Sequence, residues 1–151
     1  MYKILVVDDD PVEPALMRTV MQNLRHTHEL TFVLGGREAL AFLRGPGRGD
    51  SHPHLILLDL NMPRMDGVAT LTALKADPEL RVIPVIIFSS SDAPEDVRRS
   101  YAAHANCYVR KPTDLERLVK FVQDLSGRAI APQGTDAMSH TMTVDEAIGA
   151  R

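Results

Sequence analysis

The sequence predicts an α/β protein built on a doubly wound parallel sheet of five strands with five helices. Five short apolar runs alternate with longer segments whose apolar residues recur three and four positions apart. The first, third and fourth runs are continuously apolar and rich in Val, Ile and Leu, which is typical of strands covered by helices on both faces. Strands and helices that alternate in this way, joined by right-handed crossovers, form a doubly wound sheet.

Periodicity and turn residues set the predicted boundaries of these elements. The predicted strands are residues 3–7, 29–34, 54–58, 85–88 and 105–109. The predicted helices are residues 11–26, 37–43, 67–76, 94–103 and 114–125. Pro11 and Pro94 suit the first turn of a helix, where a missing N–H has no cost. Gly67 joins a loop to a helix, a position where glycine can adopt a positive φ.

Length and composition indicate one domain, expected at residues 1–126, with a tail at residues 127–151 and no output domain. Of 151 residues, 44% are apolar and 25% charged, which is ordinary for a globular protein. The formal net charge of −3 argues against a nucleic-acid-binding or membrane-surface protein. No apolar run approaches the roughly 18 residues that a spanning helix needs. A single cysteine, Cys107, and the lack of a signal-peptide pattern favour a cytoplasmic location.

Polar residues follow four of the predicted strands directly or closely. In strand order they are Asp8, Asp9 and Asp10, then Asp59, then Ser89, Ser90 and Ser91, and finally Lys111. Doubly wound sheets place their chemistry at the carboxyl ends of the strands, so we expect these groups to lie at one edge. Carboxylates brought together repel one another unless a cation is present, and oxygen ligands of this kind suit Mg²⁺. A lysine and a hydroxyl beside the ion would complete a site for a phosphoryl group.

Four stretches of the chain resemble the receiver domains of response regulators, the phosphoacceptor modules of two-component signalling. They are residues 6–9 (VVDD), 57–67 (LLDLNMPRMDG), 84–89 (PVIIFS) and 108–112 (YVRKP). Their common order and spacing make the resemblance specific, and it covers residues 3–125. It implies a flavodoxin-like sheet with strand order 2-1-3-4-5. Residues 61–63 and 89–92 look most like stand-alone regulators paired with bacterial phytochrome histidine kinases.

The resemblance implies a role for each matching acidic or amide residue. Asp59 would be the phosphoacceptor and a metal ligand. Asp9 would bind Mg²⁺ directly, and Asp8 would reach it through water. Asn61 would offer its backbone carbonyl to the metal. Asp10, before Pro11, fits the N-cap of a helix instead.

The remaining matches concern the phosphoryl group and the response to it. Lys111 would pair with the phosphoryl oxygens, and a cis bond between Lys111 and Pro112 would orient it inward. Ser89 matches the switch hydroxyl, with Ser90 and Ser91 as alternatives on composition alone. Tyr108 matches the aromatic switch position, while plain core packing is a compatible interpretation of the same ring.

The implied activity is Mg²⁺-dependent transfer of a phosphoryl group from a sensor histidine kinase, of the phytochrome type, to Asp59. The protein would then signal by protein contact and would not be an enzyme. The family often dimerises through its fourth and fifth helices, which implies a possible homodimer here. For the tail, a frayed segment and a docking arm both remain open.

Two other functions are compatible with parts of the sequence. Residues 6–10 also fit the strand and D-x-D motif of haloacid-dehalogenase-type phosphatases, with Asp8 as nucleophile and Asp10 as general acid. That interpretation leaves Asp59 and the stretch 62–67 unexplained. The second alternative is a receiver-like scaffold that is not phosphorylated.

Overall fold

The computed structural model describes residues 2–9, 28–60, 62, 65–91 and 93–110. The predicted helices 11–26 and 114–125 and the tail 127–151 lie outside the described residues. In chain order the described elements are β1 (Tyr2–Val7), β2 (His28–Val33), α1 (Gly36–Arg44), a 3₁₀ turn (Gly49–Ser51), β3 (Leu55–Leu58), α2 (Gly67–Ala76), β4 (Val85–Ser89), α3 (Pro94–Ala102) and β5 (Cys107–Arg110).

The five strands form one parallel sheet in the order β2-β1-β3-β4-β5, which confirms the predicted fold class and strand order. In its register, Val7 pairs with both Val33 and Leu58. Leu58 in turn pairs with Ile87. The carboxyl ends of β2, β1, β3 and β4 therefore lie side by side at one edge of the sheet.

Both faces of the central strands are buried, which explains why their sequences are continuously apolar. On one face, Leu5, Ile56 and Ile87 belong to a core that also includes Leu43 of α1 and Leu71 of α2. The residues that alternate with them are buried as well: Ile4, Leu57 and Ile86 are each at most 2% exposed. A parallel sheet buried in this way has no polar alternation along its strands.

The three helices that the structure describes agree closely with their predicted boundaries, and the start of the last strand does not. α2 has the predicted bounds, and Pro94 occupies the first turn of α3. β5 was predicted from residue 105 and begins at Cys107. The turn after α3 uses the intervening residues, because His104 has a φ of 73° and the N–H of Ala105 donates to the carbonyl of Ser100. Within the described part of the chain, no helix has the length and apolarity needed to cross a membrane.

Candidate functional site

Three carboxylates meet at the carboxyl edge of the sheet. Asp8 and Asp9 follow β1, and Asp59 follows β3, the neighbouring strand. One oxygen from each side chain lies within 4.8 Å of the other two. Asp8 is 5% exposed and Asp59 is 8% exposed, whereas Asp9 is exposed. The structure thus brings together three of the residues predicted from the strand ends.

Backbone hydrogen bonds of the sheet continue into the acidic cluster. The N–H of Asp8 donates to the carbonyl of Val33 at 3.1 Å, and the N–H of Asp59 donates to the carbonyl of Val7 at 3.0 Å. These bonds hold the two acidic residues one position beyond paired strand ends. Their separation therefore depends on sheet register, which the buried core makes costly to change.

The composition of the cluster fits a hard divalent cation. All its side-chain donors are carboxylate oxygens, the ligand type preferred by Mg²⁺, Ca²⁺ and Mn²⁺. Bringing such charges together in a partly buried site is unfavourable by itself, and a cation would offset the repulsion. The exposed position of Asp9 leaves the cluster accessible from solvent.

The loop after Asp59 packs tightly against the first turn of α2. The N–H of Gly67 donates to the carbonyl of Leu60 at 2.8 Å. A Cβ atom on Gly67 would overlap the Asp59 carbonyl oxygen and would lie 2.5 Å from the Cα atom of Leu60. The expectation of a positive φ at Gly67 was wrong, because the described glycine with that conformation is Gly49. Glycine is needed at position 67 for close approach of two backbone segments.

Asp66 caps α2 and was not singled out from the sequence. Its carboxylate accepts a 2.7 Å hydrogen bond from the N–H of Ala69. An aspartate directly before the helical period of residues 67–76 is the signal that could have identified it. This cap fixes the start of α2, and with it the glycine that contacts the Asp59 backbone.

The three serines that follow the fourth predicted strand differ in burial and in hydrogen bonding. Ser89 ends β4 and is fully buried, and its hydroxyl accepts a hydrogen bond from the N–H of Ser91 at 3.2 Å. Ser90 is exposed. The Ser91 hydroxyl donates to the carboxylate of Asp96 at 2.6 Å and accepts from the N–H of Ala93. Ser91 therefore anchors the start of α3, while Ser89 lies in the strand next to β3.

Tyr108 joins the loop that contains these serines to the core. Its ring is fully buried within the main apolar cluster, and its hydroxyl donates to the carbonyl of Ser91 at 2.9 Å. Its backbone N–H donates to the hydroxyl of Tyr101 at 3.1 Å. Burial raises the pKa of Tyr101 to about 12, so this hydroxyl remains protonated near neutral pH. Tyr108 therefore packs in the core and also forms a hydrogen bond to the β4–α3 loop.

Several predicted site residues lie outside the described residues. They are Asn61, Lys111 and Pro112, together with the predicted cis bond between the last two and the N-cap at Asp10. Their roles stay predictions.

Comparisons with known proteins agree with this geometry. The family model for the response regulator receiver domain matches residues 4–123. Response regulator Rcp1 of Synechocystis sp. is 39% identical over 124 residues, which cover 81% of this chain and 84% of Rcp1. The crystal structure of the phosphorylated cyanobacterial phytochrome response regulator RcpA has a TM-score of 0.71 and 37% identity, covering 83% of this chain and 91% of that one. The Mn²⁺-bound form of Rcp1 has a TM-score of 0.70 and 34% identity, covering 89% of this chain and all of that chain.

Proposed function

Because the chain belongs to the family of response regulator receiver domains, we propose that Asp59 accepts a phosphoryl group from a phosphohistidine of a sensor histidine kinase. The observation that carries this proposal is the acidic cluster. Asp59 is the member that follows β3, and Asp8 and Asp9 from the neighbouring strand lie beside it. Asp8 and Asp9 would therefore help to hold a cation beside the reacting carboxylate.

The proposed cofactor is Mg²⁺. Asp9 and Asp59 would bind it directly, Asp8 through water, and Asn61 through its backbone carbonyl. When bound, the cation neutralises the carboxylates and the phosphoryl oxygens, so that two anionic partners can approach. The Mn²⁺-bound structure of Rcp1 supports a divalent ion in a related protein. The all-oxygen donor set of this chain supports the same class of ion.

The transfer itself is an in-line displacement at phosphorus. A carboxylate oxygen of Asp59 forms the new P–O bond while the P–N bond to the imidazole of the donor breaks. The imidazole keeps the electron pair of the broken bond. Lys111 would pair with the phosphoryl oxygens and Ser89 would donate its hydroxyl to one of them. Slow hydrolysis of the acyl phosphate would return the protein to its resting state.

The response to phosphorylation is proposed to pass from Ser89 to Tyr108. Both residues already contact Ser91: the Ser89 hydroxyl accepts from the N–H of Ser91, and the Tyr108 hydroxyl donates to the carbonyl of Ser91. A shift of the Ser89 hydroxyl toward the phosphate would therefore act on the loop to which Tyr108 is bound. α3, β5 and the predicted helix 114–125 would present the changed surface to a partner.

The proposed pathway is supported by a relative. The similarity to RcpA, a cyanobacterial phytochrome response regulator, supports a phytochrome-type histidine kinase as the phosphodonor of this protein. We propose a cytoplasmic protein that signals through protein contact, without nucleic-acid or membrane binding and without an enzymatic activity on other molecules. We also propose a receiver domain at residues 1–126 and a homodimer through α3 and the predicted helix 114–125.

Phosphorylation of Asp59 is tested with acetyl phosphate and Mg²⁺. We expect intact-mass measurement to show the gain of one phosphoryl group in the wild type and none in Asp59→Asn. An Asp59→Asn variant that is still phosphorylated would refute the assignment. Hydrolysis of p-nitrophenyl phosphate that is lost in Asp8→Ala and kept in Asp59→Ala would instead indicate the phosphatase mechanism.

A further inference from the structure

Two large apolar side chains stand out among the described residues because they are exposed. Leu34 is 62% exposed and Val82 is 73% exposed. They lie at opposite edges of the sheet. Leu34 directly follows β2 and therefore lies at the carboxyl edge with the acidic cluster, whereas Val82 precedes β4 and lies at the amino edge.

Leu34 borders a cleft that flanks the acidic cluster. The cleft has a volume of about 290 Å³ and is lined by residues 34–38 and by Met62 and Met65. Residues 34–38 follow β2, while the two methionines belong to the loop that follows β3. β1, which carries Asp8 and Asp9, lies between these two strands. The cleft thus lies beside the carboxyl end of the strand that holds two of the three carboxylates.

We infer that Leu34 and this cleft receive an apolar side chain that lies beside the phosphohistidine of the phosphodonor protein. This inference rests on the proposed phosphorylation of Asp59. Asp59 is 8% exposed, so a donor imidazole reaches its carboxylate only when the donor surface closes against the carboxyl edge. Leu34 directly follows Val33, whose carbonyl accepts from the N–H of Asp8, so it lies at the same edge as the reacting carboxylate.

The small size of Leu34 and the adjoining cleft favours a transient partner over a second copy of the chain. One exposed leucine and a cleft of about 290 Å³ accommodate one or two side chains. A stable dimer buries about 800 Å² on each partner, whereas short-lived complexes form with less. A phosphotransfer complex must dissociate after each transfer, so a small apolar contact beside the reacting atoms suits it.

The test compares a protein donor with a small one. The protein donor is the autophosphorylated histidine kinase that phosphorylates the wild type fastest in a panel that includes phytochrome kinases. The small donor is acetyl phosphate, which needs no protein contact. Leu34→Gln removes the apolar contact without adding charge near the carboxylates, and Leu34→Ala shortens it. Val82→Gln is the matched control, because it makes the same change at the opposite edge.

We expect Leu34→Gln to reduce kcat/KM for transfer from the kinase about tenfold, as for a central apolar contact, and Leu34→Ala to reduce it about threefold. Phosphorylation by acetyl phosphate should stay within about twofold of wild type for both variants, and Val82→Gln should leave both donors unaffected. Far-ultraviolet circular dichroism of each variant checks its fold.

Three outcomes would overturn the inference. Unchanged transfer from the kinase to Leu34→Gln would do so and would leave the assignment of Asp59 intact. An equal loss with both donors would show that Leu34 acts on the acidic site itself. Dissociation of a wild-type dimer by Leu34→Gln, measured by sedimentation, would identify a second copy as the occupant. Phosphorylation of Asp59→Asn, by contrast, would refute the proposed function.

Discussion

The carboxyl edge of the sheet gathers anions, whereas the amino edge holds a cation among neutral oxygens. At the carboxyl edge, oxygens of Asp8, Asp9 and Asp59 lie within 4.8 Å of one another. At the amino edge, the half-buried ammonium of Lys75 donates to the carbonyls of Arg81 and Ile83 at 3.1 Å each.

Asn106 completes the arrangement at the amino edge. Its side-chain oxygen accepts from Lys75 at 3.3 Å and from the N–H of Val85 at 2.9 Å. Burial lowers the pKa of Lys75, but three oxygen acceptors surround its charge. Buried polar groups whose hydrogen bonds are all formed rigidify a fold, whereas clustered like charges repel one another unless a ligand of opposite charge binds. The amino edge is therefore expected to serve stability and the carboxyl edge chemistry.

The largest expected effect comes from the cation. Chelating divalent ions with EDTA should lower the rate of phosphorylation by acetyl phosphate at least about hundredfold, because the cation contributes several kcal/mol of charge stabilisation. Asp9→Asn should weaken Mg²⁺ binding, measured by titration, and leave the free energy of unfolding without Mg²⁺ equal or higher. Full activity in EDTA would contradict the proposed role of the carboxyl edge.

Gly67→Ala should reduce both the stability of the fold and the rate of phosphorylation. The added methyl would meet the backbone of Asp59 and Leu60, and overpacking of this kind costs about 1–3 kcal/mol of unfolding free energy. The displaced backbone should also slow phosphorylation by acetyl phosphate. Gly35→Ala is the control, because its methyl would meet only the flexible end of Glu38. Urea unfolding of both variants measures the difference, and equal losses would contradict it.

Cys107, at the amino edge, should make the free energy of unfolding fall as the pH becomes alkaline. Burial raises the pKa of its thiol from 9.0 to about 11, so between these values the folded protein retains a proton that the unfolded chain has lost. The stabilisation is complete below pH 9 and is lost as the pH rises to 11. It amounts to roughly 2 kcal/mol. Cys107→Ser has no thiol, and its unfolding free energy should fall less over this range in urea titrations.

The lowered pKa of Lys75 acts in the opposite direction, because the unfolded chain binds the proton more tightly. Lys75 is present in both proteins, so the difference between wild type and Cys107→Ser reports the thiol together with its effect on the pKa of the neighbouring Tyr101. Identical pH profiles for the two proteins would show that Cys107 does not titrate in this range.

Asn106→Ala should give the smallest effect, a loss of about 1–2 kcal/mol of unfolding free energy, because it removes an acceptor from Lys75 and from the N–H of Val85. Asn106→Asp keeps an oxygen at this position and should lose less. Phosphorylation by acetyl phosphate should be unchanged in both variants. Slower phosphorylation without a loss of unfolding free energy would contradict the assignment of stability to the amino edge and chemistry to the carboxyl edge.

Most of the fold could be predicted because the central strands β1, β3 and β4 are buried on both faces, which gives them continuously apolar sequences. Short apolar runs identified all five strands, three of them continuously apolar, and helical periodicity identified α1, α2 and α3. The start of β5 was missed, because the left-handed conformation of His104 depends on how the turn after α3 closes. Positive φ is uncommon outside glycine, and although histidine is enriched there, residue type alone does not predict it at a given position.

The acidic cluster could be predicted because its members follow strands whose ends are aligned by the fold. The contacts of Ser91 with Asp96 and of Lys75 with Asn106 could not. The second pair joins residues 31 positions apart, and its geometry depends on the packing of α2 against the turn before β5. Pattern and spacing do not specify such side-chain contacts.

The close packing at Gly67 makes the surroundings of Asp59 asymmetric. On the α2 side, backbone lies directly against backbone, which leaves no room for displacement. On the β4 side, Ser89, Ser91 and Tyr108 are joined by individual hydrogen bonds that can exchange partners. A group added to Asp59 would therefore meet closely packed backbone on the α2 side. The side chains on the β4 side would move instead, and their displacement would be directed toward α3.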